Sequence, residues 1–210
     1  MTSVIGQFFK NVFTSWAGMV VALVIAFFFT PYLVDTLGKE KYGIWSLAFS
    51  IMAYMRLADL GMKQSIVRYV SKYYAVKDWK DLNQIFSSSI RLYFFVAVAI
   101  LVATIAIALH FSGYLKIPSD LFRTAQITIL ILGINEAVMY FCLPFISLGA
   151  YHRYDITSYF RIGRNIIQTA IIIVLLEMGY GLVPMALAVL GITIISNIWI
   201  NGIRRSLFPE

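Results

Sequence analysis

Six long apolar runs lie end to end along this 210-residue chain, and they leave few folds open to it. A hydrocarbon slab about 30 Å thick needs about 20 helical residues to cross it, and each run supplies that number or nearly so. Backbone amides in lipid must hydrogen-bond within their own segment, so each run is predicted to be a transmembrane helix. The predicted spans cover residues 12–34, 42–62, 92–111, 125–148, 163–180 and 182–203.

The composition points to the same class of protein. Hydrophobic residues make up 60% of the chain, charged residues make up 13%, and the mean hydropathy is +0.82. These values exclude an ordinary soluble domain. The net charge of +7 is spread over the connectors, so it gives no reason to expect nucleic acid as a partner. We therefore predict one all-α, polytopic membrane unit.

The basic residues predict the orientation of this unit. With a cytoplasmic amino terminus, the inner segments hold twelve Lys and Arg residues and the outer connectors hold four, while Arg56 falls within a span. Short basic loops stay on the cytoplasmic side of a membrane. We expect a multi-pass protein of the inner (plasma) membrane with both termini in the cytoplasm. The first run lacks a small-x-small cleavage pattern, so it is predicted to be a retained helix.

The longest connector follows the second run and is predicted to be partly helical. Apolar side chains recur at helical spacing from Ile66 to Val76, while Arg68 and Lys72 project from the opposite side. This pattern predicts an amphipathic segment at the inner membrane surface over about residues 63–80. Asp78 has the position of a helix N-cap, so we expect the third helix to begin well before the bilayer.

A family pattern extends from the end of the first run into this connector. The chain reads PYLVDTLGKEKYGIWSL from Pro31 and YMRLADLGMKQSIVRYV from Tyr54. These segments resemble the amino-terminal region of polysaccharide and O-antigen flippases, in the multidrug/oligosaccharidyl-lipid/polysaccharide exporter superfamily. The matching positions are Pro31, Leu37, Gly38, Tyr42, Gly43, Trp45, Asp59, Leu60, Gly61 and Arg68.

The resemblance implies a transporter for surface polysaccharide synthesis. Such a protein moves a lipid-linked oligosaccharide from the inner to the outer leaflet by alternating access between two helical lobes. The family's full proteins have about twice as many helices as the six predicted here, so this chain resembles the amino-terminal lobe. We expect a fragment, or a half that needs a second six-helix lobe or a homo-oligomeric partner. Lipid-linked oligosaccharide and membrane lipids are the other expected partners, and no cofactor is implied.

Ionisable groups inside the predicted spans are the candidate site residues, since each costs about 2.5–3.5 kcal/mol near the bilayer centre. Arg56 and Asp59 are three apart on the second helix, and Glu136 follows Asn135 midway along the fourth. In one interpretation Arg56, Asp59 and Asn135 line a substrate cavity. There Arg56 attracts the pyrophosphate of a lipid carrier, and Glu136 or Asp59 binds a coupling proton or cation. The other interpretation is structural, with an Arg56–Asp59 ion pair and a protonated Glu136 bonded to a neighbouring helix.

Prolines and tryptophans each leave two interpretations open. Pro31, Pro144 and Pro184 lie inside or near the ends of spans, where they predict either hinges of moving helices or static bends. The tryptophans lie towards span ends or in connectors, where interfacial belts are expected, although sugar stacking is the alternative. They are Trp16, Trp45, Trp79 and Trp199.

An enzyme is the main alternative of a different class. The short outer connectors leave no room for a glycosyltransferase site, and His110 and His152 lie on different connectors without metal-ligand spacing. We therefore predict no enzyme, no catalytic residue and no metal site. A multidrug or cation exporter of the same superfamily remains an alternative, as does a non-transporting membrane scaffold.

Overall fold

The computed structural model describes residues 4–59, 61–114, 117–140 and 154–207, and these form helices without a strand. The helices are α1 (Val4–Met55), α2 (Met62–Ala75), α3 (Trp79–Tyr114), α4 (Phe122–Tyr140), α5 (Tyr154–Glu177) and α6 (Leu182–Leu207). Four of these described helices, α1, α3, α5 and α6, are long and apolar enough to cross a membrane. The prediction of an all-α, polytopic membrane protein is confirmed.

Helix α1 contains the first predicted span and most of the second, which are separated at Gly38. This residue has φ +78° and ψ 161°, which is outside the helical region and is favoured by glycine. It divides α1 into a first arm (4–37) and a second arm (39–55). Side chains from both arms, as far apart in sequence as Ala22 and Ala53, line one cleft. At about 1.5 Å per residue a straight helix would hold them far apart, so the second arm folds back along the first.

The second span ends earlier than the predicted residue 62. Helix α1 stops at Met55, and a 3-10 turn follows over Arg56–Asp59. Gly61, with φ +77°, then directs the chain into α2. Arg56 and Asp59 therefore lie in this turn and not on one face of a membrane helix, which corrects the sequence-based placement of both. The tight 3-10 turn and the left-handed glycine are the physical reason for the early end.

Helix α4 lies within the protein core. It packs against α1, α3 and α6, and Ala125 and Ile129 are fully buried. Gly133 permits the close approach of α3, because a Cβ atom there would lie 2.5 Å from Thr104 Oγ1 and 2.7 Å from Thr104 Cβ. By contrast, the first arm of α1 carries strongly exposed aromatic side chains such as Phe27, as expected for a lipid-facing surface.

Helix α2 packs against the first turns of α3 as a helical hairpin. Ile66 and Val70 are buried in a cluster with Leu82 and Tyr93. Part of the apolar side of the predicted amphipathic segment is thus covered by protein, whereas Tyr69 and Val76 stay exposed. Its position at the inner membrane surface stays a prediction. Asp78 caps α3 as expected, since its Oδ1 accepts a hydrogen bond of 3.1 Å from the Asp81 backbone N–H.

Candidate functional site

A cleft of about 490 Å³ opens between the two arms of α1 and the middle of α5. Uncharged polar side chains line it from all three walls: Thr30, Ser46, Ser50, Asn165, Gln168 and Thr169. Aromatic side chains of α1 complete much of the remaining lining: Phe29, Tyr42, Trp45 and Phe49. The cleft therefore presents hydroxyl and amide groups beside flat aromatic surfaces, within helices that are otherwise largely apolar.

The polar wall of α5 follows from helical spacing. Asn165, Gln168, Thr169 and Ile172 stand at positions i, i+3, i+4 and i+7, which places them on one face. The exposed residues Ile166, Ile167 and Ile171 of the same helix do not line the cleft. One face of α5 therefore carries the polar lining and another presents apolar side chains, as a helix between a polar cleft and lipid requires.

Arginines flank the end of the cleft that is farther from Gly38. Arg56 lies three residues beyond the last lining residue of the second arm, and Arg161 and Arg164 precede the α5 lining by four residues and one residue. Arg161 reaches the first arm, since its Nη2 would lie 3.5 Å from a Cβ atom on Gly18. The Arg164 side chain also reaches α4, since its Nη1 lies 3.6 Å from a methionine sulfur of that helix. Guanidinium groups thus lie near one end of a cleft whose described lining is uncharged.

Arg56 also forms an ion pair with Glu136 of α4. Its Nη2 donates to Glu136 Oε1 over 2.7 Å, and its Nε lies 3.2 Å from both carboxylate oxygens. The two partners differ in environment, because the Arg56 side chain is 55% exposed and the Glu136 side chain only 7%. A fork of donors on a nearly buried carboxylate fixes the turn after α1 against α4.

Asp59 occupies a separate position in the same turn. The hydroxyl of Tyr93 donates a long hydrogen bond of 3.4 Å to Asp59 Oδ1, and the Tyr93 ring packs beside that of Tyr140. The sequence left open an ion pair between Arg56 and Asp59. Among the described residues, however, the ionic partner of Arg56 is Glu136.

Asn135 is buried on α4 and does not line the cleft. Its Oδ1 has no hydrogen-bond partner among the described residues. Asp59 and Glu136 likewise stand outside the cleft lining, so the structure brings Arg56 and Glu136 together but separates Asp59 and Asn135 from the polar cleft. The cavity and coupling roles assigned to these four residues stay predictions.

Two of the three candidate hinge prolines lie within described helices. Pro31 is inside α1, but the backbone of this helix departs from helical geometry at Gly38. Pro184 is the third residue of α6, where a missing N–H removes no helical hydrogen bond. The Pro184 ring therefore fits the first turn of α6 without a kink in the helix. Pro144 lies outside the described residues.

The tryptophans divide into two groups. Trp16, Trp79 and Trp199 are exposed, as interfacial belt residues would be. Trp45 is buried, packs against Phe49 with ring centroids 4.8 Å apart, and lines the cleft. The belt interpretation is therefore wrong for Trp45.

Among the residues that the structure describes, no group of His, Cys, Asp and Glu has the arrangement of a metal site.

Sequence reasoning missed the polar face of α5 as a candidate site. The signal was present, since Asn165, Gln168 and Thr169 interrupt an apolar run at spacings of three and four residues. Arg161 and Arg164 belong to the twelve inner Lys and Arg residues that predict the orientation, and Arg161 also suits a headgroup layer. Their relation to the cleft depends on how α5 packs against α1, which hydrophobic periodicity does not determine.

A family model described as polysaccharide biosynthesis protein matches residues 8–204. This match extends over nearly the whole chain, including both arms of α1 and the polar face of α5. A search of curated proteins and a search of solved structures find no significant match.

Proposed function

Because the chain belongs to the polysaccharide biosynthesis protein family, we propose that it forms one lobe of a flippase that moves a lipid-linked oligosaccharide across the cell membrane. It is a membrane-embedded helical protein. The observation that carries the proposal is the cleft between the arms of α1 and α5, which has uncharged polar side chains on all three walls and arginines near one end.

The lining matches the chemistry of a sugar. An oligosaccharide cannot cross hydrocarbon unaided, since each hydroxyl that loses water without a new hydrogen bond costs several kcal/mol. Ser, Thr, Asn and Gln side chains replace those water contacts, and the aromatic side chains offer flat apolar faces to the sugar rings. The combination lowers the barrier for glycan passage while the lipid tail remains in the bilayer.

The arginines match the carrier. Lipid-linked oligosaccharides have a phosphate or pyrophosphate between lipid and sugar, and a guanidinium binds such groups through a planar fork of donors. Arg56, Arg161 and Arg164 are on the side assigned to the cytoplasm by the charge pattern of the connectors. Substrate would thus load from the inner leaflet with its phosphates at the arginines and its glycan in the cleft.

A second lobe completes the transport path. The cleft is open on one side, so a second six-helix lobe or another copy of this chain would supply the missing wall. Rocking of the two lobes would expose the cleft to each side of the membrane in turn.

Glu136 is the proposed site of a coupling proton. Protonation would release Arg56 from its ion pair and make the guanidinium available to the substrate phosphates.

The test is rescue of surface polysaccharide in a flippase-deficient cell by the protein expressed from its intact gene. Gln168→Trp fills the cleft and should abolish rescue, while Ile167→Trp, on the adjacent exposed position, should retain it. Arg161→Gln should reduce rescue, whereas Arg123→Gln at the other end of the lobe should not. Equal rescue by both tryptophan variants would refute the cleft as the glycan path. Rescue unchanged by both Arg56→Ala and Glu136→Gln would refute their assigned roles.

A further inference from the structure

A second recess, the α2–α3 groove, lies between α2 and the first turns of α3. Its volume is about 300 Å³, at the lower end of the range for ligand pockets. It shares no lining residue with the cleft. Its lining combines apolar side chains with hydroxyl groups: Met62, Ser65, Ile66, Tyr69, Ile85, Ser88, Ser89 and Leu92.

The length of α3 sets the depth of this groove. With 36 residues, α3 is about 54 Å long, whereas the hydrocarbon slab is about 30 Å thick. The first turns of α3 therefore project from the slab on the side where α2 packs. Leu92, at one end of the groove, is the first residue of the predicted span 92–111. The groove thus opens where the acyl region meets the headgroups.

Positive charge follows the rim of the groove. Three exposed basic residues each stand three positions after a lining residue, on a neighbouring part of the helix surface: Arg68, Lys72 and Arg91. Helix α2 contains no acidic residue. The acidic group nearest to the lining on α3 is Asp81, one turn before Ile85. Asp59 lies three positions before Met62 and is hydrogen-bonded to Tyr93, so it is a second acidic group near the lining. Three basic residues against these two acidic ones leave the rim with a net positive charge.

We propose that the α2–α3 groove binds an anionic glycerophospholipid of the adjacent leaflet. One acyl chain lies between α2 and α3, the hydroxyl groups of Ser65, Ser88 and Tyr69 contact the glycerol ester region, and the phosphate lies against the basic rim. A choline headgroup is disfavoured, because its own cation would stand beside the rim cations. The site is independent of the glycan cleft and does not depend on transport.

Native mass spectrometry of the full chain in detergent tests this site. Phosphatidylglycerol and phosphatidylcholine with the same acyl chains are titrated separately. We expect one phosphatidylglycerol to be retained at about tenfold lower concentration than phosphatidylcholine. Ser88→Trp fills the groove and should abolish this retention. Ser87→Trp, exposed and outside the lining, is the matched control and should retain it.

Charge variants separate headgroup recognition from simple filling of the groove. A triple variant with Arg68→Gln, Lys72→Gln and Arg91→Gln should retain the two lipids at concentrations that differ by no more than about twofold. Lys39→Gln with Lys41→Gln, near Gly38, should leave the preference unchanged. Equal retention of both lipids by the unmodified chain would overturn the proposal, as would retention unaffected by Ser88→Trp. Displacement of phosphatidylglycerol by an equal amount of polyisoprenyl phosphate would assign the groove to the carrier lipid instead.

Discussion

Removal of Arg56 and removal of Glu136, the two partners of an ion pair, should lower the free energy of unfolding by very different amounts. Arg56→Ala leaves a carboxylate that is only 7% exposed without its cation, and breaking such a pair costs about 3–5 kcal/mol. Protonation of the carboxylate would remove the buried charge, and it costs an ordinary Glu side chain about 3.7 kcal/mol at pH 7. This value limits the cost of the unpaired charge. We therefore expect Arg56→Ala to lower the free energy of unfolding by about 3–4 kcal/mol.

Removal of the acidic partner should cost much less. Glu136→Gln keeps a hydrogen-bond acceptor in place, and the freed Arg56 side chain is 55% exposed, so solvent or headgroups can reach it. We expect a loss of about 1 kcal/mol. Combining the two changes removes the buried charge, so the double variant should be about 2 kcal/mol more stable than Arg56→Ala alone.

Equilibrium unfolding in mixed micelles, followed by circular dichroism, measures these free energies. The penalty of Arg56→Ala should shrink towards pH 5, where protonation of a Glu side chain costs only about 1 kcal/mol. Lys41→Ala removes an exposed cation from α1, the helix that precedes Arg56, and should change stability by no more than about 0.5 kcal/mol. A cost of Arg56→Ala no greater than that of Glu136→Gln would refute the reasoning.

Two further predictions concern packing and capping. Gly133→Ala should cost about 2–3 kcal/mol, because its Cβ would overlap Thr104, including the Thr104 Cβ at 2.7 Å. Thr104→Gly removes that Cβ, so the loss in the double variant should be smaller than the sum of the two single losses by about 1 kcal/mol or more in the same unfolding measurement. Strictly additive losses would contradict a direct clash. Asp78→Ala should cost about 1 kcal/mol by removing the cap of α3, whereas Asp78→Asn should cost less than half as much. Equal losses in the two variants would show that the negative charge, and not the accepted hydrogen bond, accounts for the effect of Asp78.

Much of the fold was predictable because lipid imposes it on the sequence. Apolar runs about 20 residues long allow only helices, so α3 and α6 follow from hydropathy, and Asp78 marks the start of α3 by its capping chemistry. The end of the second arm was not predictable in this way. Hydropathy continues through Met62, while the backbone turns after Met55 through a 3-10 turn and the left-handed Gly61.

The candidate site was only partly predictable, because its contacts join distant helices. Arg56 and Glu136 were singled out by the cost of intramembrane charge, but their pairing spans 80 residues of sequence. Local spacing favoured Asp59 as the partner of Arg56, since three residues on a helix share a face. The 3-10 turn removes that relation. Trp45 was misassigned for a similar reason, since burial against Phe49 depends on how the arms of α1 pack.

The most direct test of the central claim is glycan movement in reconstituted vesicles. The protein expressed from its intact gene is placed in liposomes that hold a fluorescent lipid-linked oligosaccharide, and a membrane-impermeant lectin reports the glycans that reach the outer surface. We predict that the unmodified protein and Ile167→Trp expose the inner pool, while Gln168→Trp behaves as protein-free vesicles do. If Gln168→Trp exposes glycans to the lectin as fast as the unmodified protein does, transport through the cleft is contradicted. If the unmodified protein exposes no glycans, flippase activity is contradicted.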